Sequence, residues 1–144
     1  MEISNLVTSD NEKNGKWFQV ELYGKKQNFA LNILGDDADE VVKFARNRIR
    51  EIAKNNEKKY AEMTDNEMDD YEGLADDNVI VRLNGISSIK TKLGSDFELI
   101  DEPVTLQGRE LKNDEESYRF LIEKIPALSM FILNTSRKRS NFLD

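Results

Sequence analysis

The stretch Lys16–Leu34, KWFQVELYGKKQNFALNIL, decides the fold class. Phe18, Val20 and Leu22 alternate with Gln19 and Glu21. Phe29, Leu31 and Ile33 alternate with Asn28, Ala30 and Asn32. A period of two on both sides of Gly24-Lys25-Lys26-Gln27 predicts an antiparallel hairpin with one apolar face. A two-stranded hairpin is marginal alone, so that face needs a cover. Trp17 and Tyr23 fall on the other face, as ordinary half-exposed aromatics or as a contact patch for a partner.

Working outward, Gly35 closes the hairpin, and Asp36 or Asp37 is placed to cap a helix running to about Tyr60. Ala38, Val41, Val42, Ala45, Ile49, Ile52 and Ala53 share one face of it, with Phe44 at the border. The order strand, strand, helix predicts a ββα unit with this helix laid on the hairpin. Asp36, Asp37, Asp39 and Glu40 suit the orphan N–H groups and the dipole at the helix start better than they suit a metal. Lys43, Arg46, Arg50 and Lys54 make a basic stripe, which in a net acidic chain reads as a solvated face. On the N-terminal side, Met1–Gly15 is polar and reads as a loose arm, with Ile3, Leu6 and Val7 as material for a short edge strand.

Glu62–Asn78 carries eight acidic residues and no basic one. It reads as a mobile acidic linker or a weak extension of the helix, and shielding of the basic stripe across a bend is the hypothesis it suggests. Asp65, Glu67 and Asp69 resemble the start of a calcium loop, but Asp70 stands where the turn glycine belongs and the closing glutamate is missing.

The C-terminal stretch Lys112–Leu143 is the most apolar part of the chain. Asn113 with Glu116 has capping-box spacing, and acidic residues fill the first turn. Tyr118, Leu121, Ile122 and Ile125 follow at helical spacing. Pro126 ends that helix near Ile125 and can open a second. Leu128, Phe131, Ile132 and Thr135 stripe the second helix, and Ser140-Asn141-Phe142 is its exit.

The chain has 144 residues, enough for one domain, of which 38% are hydrophobic and 34% charged. Cysteine and histidine are both absent. Disulfides, thiolate or imidazole zinc sites and Cys–His or Ser–His–Asp catalysis are therefore excluded. The formal net charge of −7 speaks against nucleic acid as a partner. The start of the chain lacks signal-peptide layout, and the longest apolar run falls short of the ~20 residues that span a bilayer. A soluble cytoplasmic protein without a membrane partner is expected.

The C-terminal pattern resembles the tail assembly chaperones of long-tailed, siphovirus-type bacteriophages. It is carried by Asn113, Glu115, Glu116, Phe120, Leu121, Ile125, Pro126, Leu128, Ile132, Ser136, Asn141, Phe142 and Leu143. Val79–Ile89 fits a helix by spacing and a strand by its β-branched run; the resemblance favours helix. Lys90–Leu111 reads as an extended connection with room for one short strand or hairpin. The expected architecture is α+β in a single domain, residues 1–144. It comprises an arm (1–15), a hairpin packed on a long amphipathic helix (16–60), an acidic linker (61–78) and a mainly helical C-terminal part with a proline-broken helix pair (79–144).

The resemblance implies a protein that holds the tape measure protein in solution and helps bring tail tube subunits to it. It would act in the host cytoplasm and be absent from the mature virion. It would have no enzyme activity, metal or cofactor, and self-association is a further expectation. The expected partner-binding residues are Phe120, Leu121, Ile125, Leu128, Phe131, Ile132 and Phe142, with Phe142 free because it lies past the last helix. The alternative is a minor structural or head–tail component that stays in the particle.

Overall fold

The computed structural model describes residues 2–54 and 75–143. The chain is α+β, as the alternation at Lys16–Leu34 requires. Strands β1 (Lys16–Leu22) and β2 (Lys25–Ile33) form the hairpin, with Phe18 opposite Leu31. The turn is tighter than the spacing of polar residues implies: Tyr23 and Gly24 make it, both with positive φ, and β2 begins at Lys25. Two left-handed residues give the turn a twist that matches the strands it joins.

Helix α1 (Asp10–Asn14) replaces the expected loose arm, and a 3-10 turn at Ser4–Leu6 stands where an edge strand was expected. The physical reason is a capping box. Ser9 accepts from the Glu12 backbone N–H, and the Glu12 carboxylate reaches back to Ser9. Helix α2 (Asp39–Lys54) follows the hairpin. Residues 55–60 of its expected extension, the side chains of Ile52 and Ala53, and most of the acidic run (62–74) with its calcium-like Asp65, Glu67 and Asp69 lie outside the described residues.

Residues 75–80 are helical (α3), and Leu83–Thr91 is strand β3, not the continuing helix expected for Val79–Ile89. Val79 and Ile80 anchor the end of α3 in the core. Beyond them the chain extends so that Leu83 pairs with Ile33 and Ile86 with Leu31. Gly85 fits this strand because the Trp17 ring lies against it: a Cβ there would stand 2.9 Å from Trp17 Cη2. Strands β4 (Phe97–Ile100), β5 (Val104–Leu106) and β6 (Arg109–Leu111) follow, so 83–111 is β rather than part of a mainly helical half. The main sheet is antiparallel in the order β1-β2-β3-β4, and β5-β6 is a separate hairpin.

The proline corner forms as the sequence implies. Helix α4 (Glu115–Lys124) stops before Pro126, and α5 (Ala127–Arg137) starts after it. The cap differs by one residue. Asp114 accepts from the Ser117 N–H, while Asn113 Oδ1 accepts from the Ile86 N–H at 2.6 Å and so ties the helix start to β3.

The cover over the hairpin is also different. Leu128 and Ile132 of α5, Leu121 and Ile122 of α4, and Phe142 form one core cluster with Val20, Leu31, Ile33 and Ile86 of the sheet. Helix α2 was expected there. Instead Ala38, just before it, and Val41, in its first turn, join Leu34 and Val81 in a smaller cluster. Adjacency in sequence favours α2, but α5 supplies the larger side chains, and each that is fully buried contributes about 1.5–3 kcal/mol.

Candidate functional site

The seven residues expected to bind a partner divide into two groups. Leu121, Leu128, Ile132 and Phe142 are buried. They are core, which corrects the expectation that they form a contact surface. Phe142 is only 1% exposed. A 3-10 turn at Arg139–Phe142 folds its ring back onto Phe18, edge-on at 5.4 Å. Asn11 holds that turn by donating to the Phe142 carbonyl at 3.1 Å.

Phe120, Ile125 and Phe131 are half-buried against the same core. Arg109 covers the Phe120 ring at 4.6 Å and Lys124 approaches it at 5.7 Å. These cation–π contacts occupy a face that a partner would otherwise use. Met130, on the outward side of α5, is exposed.

The surface that sequence reasoning assigned to the interior is the body of α2. Past Val41 its stripe turns toward solvent: Val42 and Phe44 are half-buried, Ala45 is exposed and Ile49 is 66% exposed. Lys43, Arg46 and Arg50 are exposed on the same helix. The helix is amphipathic over its 16 residues, and Ile49, a large apolar side chain, stands in water. Two turns separate Val41 from Ile49, and the period alone cannot tell an inward stripe from a docking stripe.

Charged groups inside the protein are structural. Arg82 is buried and donates to Asp36 Oδ1, Ser136 Oγ and Asn78 Oδ1. Asp36 lies in the turn before α2, which begins only at Asp39, so it does not take the capping position expected of it. Glu12 is 2% exposed and accepts from Arg139 Nε at 2.9 Å. Burial pushes its carboxyl up, but hydrogen bonds from Arg139 and Ser9 outweigh burial and hold it below the ordinary carboxylate range. Among the described residues, no three acidic side chains are grouped so as to hold a metal ion. Among the same residues, no helix is long and apolar enough to cross a membrane. This arrangement can present surfaces and hold them rigid. No family model, curated protein or solved structure matches this chain.

Proposed function

We propose that this chain is a tail assembly chaperone, a non-catalytic protein that binds and solubilises the tape measure protein and helps recruit tail tube subunits. In this reading it acts in the host cytoplasm and leaves before the virion is complete. The resemblance over residues 113–143 supports the family. The observation that carries a binding role is α2, whose apolar side beyond Val41 faces outward with Ile49 exposed. A long, mainly helical client offers amphipathic helices, and a helix with a free apolar stripe packs against such a client. The acidic exterior of the chain, at −7, keeps such a complex in solution.

The test is co-expression with the tape measure protein of the same phage. The chaperone reading expects a client that is insoluble alone to appear in the soluble fraction with this chain, and the chain to be missing from purified particles. A client that stays insoluble contradicts it. A chain retained in washed particles at fixed stoichiometry would make it a minor structural or head–tail component instead.

A further inference from the structure

Helix α2 carries a second feature beside its outward apolar stripe. Lys43, Arg46 and Arg50 follow at steps of three and four, so they line one side of the helix over about 10 Å. All three are exposed. At about 100° per residue, Arg46, Arg50 and Lys43 stand about 60°, 100° and 120° round the helix from Ile49, in the same sense. The cations therefore border the stripe of Val42, Ala45 and Ile49. Glu40 and Glu51 of the same helix stand about 180° and 160° from Ile49, on the far side. Asp39 is the one acid of α2 on the cationic side. It lies in the first turn, where the N-terminus of a helix favours a carboxylate.

These cations are spare. Among the described residues, none of the three makes an ion pair. Four other arginines are used differently: Arg82 meets Asp36, Arg109 meets Glu116, Arg119 meets Glu115 and Asp77, and Arg139 meets Glu12. An exposed, unpaired cation is ordinary by itself. Three of them in line beside a free apolar stripe give that stripe a charge preference.

We propose that the segment received by α2 is an acidic amphipathic helix of the client. This rests on the reading of α2 as the docking helix and adds the partner's chemistry to it. The client's apolar residues pack on Val42, Ala45 and Ile49. Asp or Glu at steps of three and four along one border of the client helix meets Lys43, Arg46 and Arg50. A guanidinium takes a carboxylate through both oxygens, which favours one register of the two helices as well as adding affinity. Nucleic acid fits less well. A phosphate backbone has no use for the apolar stripe, and the net charge of −7 repels it.

The experiment is fluorescence anisotropy of the purified full chain with three labelled synthetic helices. They share one leucine stripe and carry glutamate, glutamine or lysine at the bordering positions. The chain as a whole, at −7, attracts the lysine helix, so a preference for glutamate has to come from a local site. Wild type is expected to bind the glutamate helix at least about tenfold more tightly than the glutamine helix, and the lysine helix most weakly, with the preference shrinking in high salt. Arg46→Glu/Arg50→Glu is expected to reverse the order. Arg46→Gln/Arg50→Gln, the milder change at the same exposed positions, is expected to erase the preference. Ile49→Asp is expected to weaken all three. Equal binding of the three helices by wild type would overturn the charge assignment and leave α2 as a docking helix. A glutamate preference that survives both arginine variants would overturn it too, by placing the site elsewhere. Binding of none of the three would overturn the docking reading and the proposal with it. Glutamate binding that appears only in Asp65→Asn/Glu67→Gln/Asp69→Asn/Asp70→Asn would give the border to the chain's own acidic run and overturn the proposal. So would a short DNA duplex that displaces the glutamate helix and binds Ile49→Asp as well as wild type.

Discussion

Arg82 and Asp36, 46 residues apart, are joined by a hydrogen-bonded ion pair with Nη2 3.0 Å from Oδ1. The pair stands where β3 begins, where β2 has just ended and where α5 finishes. Ser136 completes it by accepting from Arg82 and donating to the Leu34 carbonyl at 2.7 Å. One buried guanidinium therefore holds three elements in place. Arg82→Ala strands the carbonyl of Asn78 and leaves a void, and is expected to cost about 2–4 kcal/mol by denaturant unfolding. Asp36 is 42% exposed, so water can replace part of its contact. Asp36→Asn is expected to cost about 1 kcal/mol or less. Equal losses for the two variants would mean that Arg82 is not the hub.

Phe142 tests whether the C-terminal turn is core. Phe142→Ala empties the space against Phe18 and is expected to cost about 3–5 kcal/mol, the range for a buried aromatic. A loss under about 1 kcal/mol would return Phe142 to the surface role first expected of it.

The Glu12–Arg139 pair gives a pH dependence of known sign. The folded carboxyl titrates below its ordinary value of 4.5. Its contribution to stability is therefore fully present above about 4.5 and is lost as pH falls through the folded value. Glu12→Gln is expected to flatten the acid limb of stability against pH. Tyr118 acts at the other extreme. Burial, helped by the charge of Asp114, pushes its hydroxyl up to about 12 from 10.0. Stability is expected to fall as pH rises from 10 towards 12, and Tyr118→Phe removes that decline. An acid limb identical in wild type and Glu12→Gln contradicts the first assignment.

Gly85 and Trp17 supply an optical test of the sheet register. The chain has one tryptophan, so its fluorescence reports this contact alone. Gly85→Ala would put a Cβ 2.9 Å from Trp17 Cη2, so the ring must move away, and the emission is expected to shift to the red with a stability loss of about 1–3 kcal/mol. Unchanged emission would place Trp17 elsewhere.

These contacts also show what could be read in advance. The hairpin was legible because Phe18–Leu22 and Phe29–Ile33 each alternate cleanly, and the corner because Pro126 excludes a continuous helix. Strand β3 was not, because Leu83, Ile86 and Ile89 are three apart and mimic a helical stripe. A register irregularity between Asn32 and Ile33 lets Leu83 and Ile86 share one core cluster, while Ile89 is buried outside it. The interior place of Phe142 was hidden because its ring partner, Phe18, is remote in sequence. Glu12 was hidden for the same reason: a carboxylate in a polar arm gives no sign that Arg139 will bury it. Of the expected contact residues, the sequence could show apolar helices but not which apolar side is spare. Four of the seven proved to be interior, and the outward stripe lies on α2.

The central claim is that α2 lends its outward stripe to a helical client, and Ile49→Asp addresses it most directly. Ile49 is exposed, so the fold is expected to keep its thermal midpoint. Measured by co-purification after co-expression with the tape measure protein, wild type is expected to hold the client in the soluble fraction. The variant is expected to lose it, with Met130→Asp as a control that retains it. A folded Ile49→Asp variant that solubilises the client as well as wild type would contradict the account.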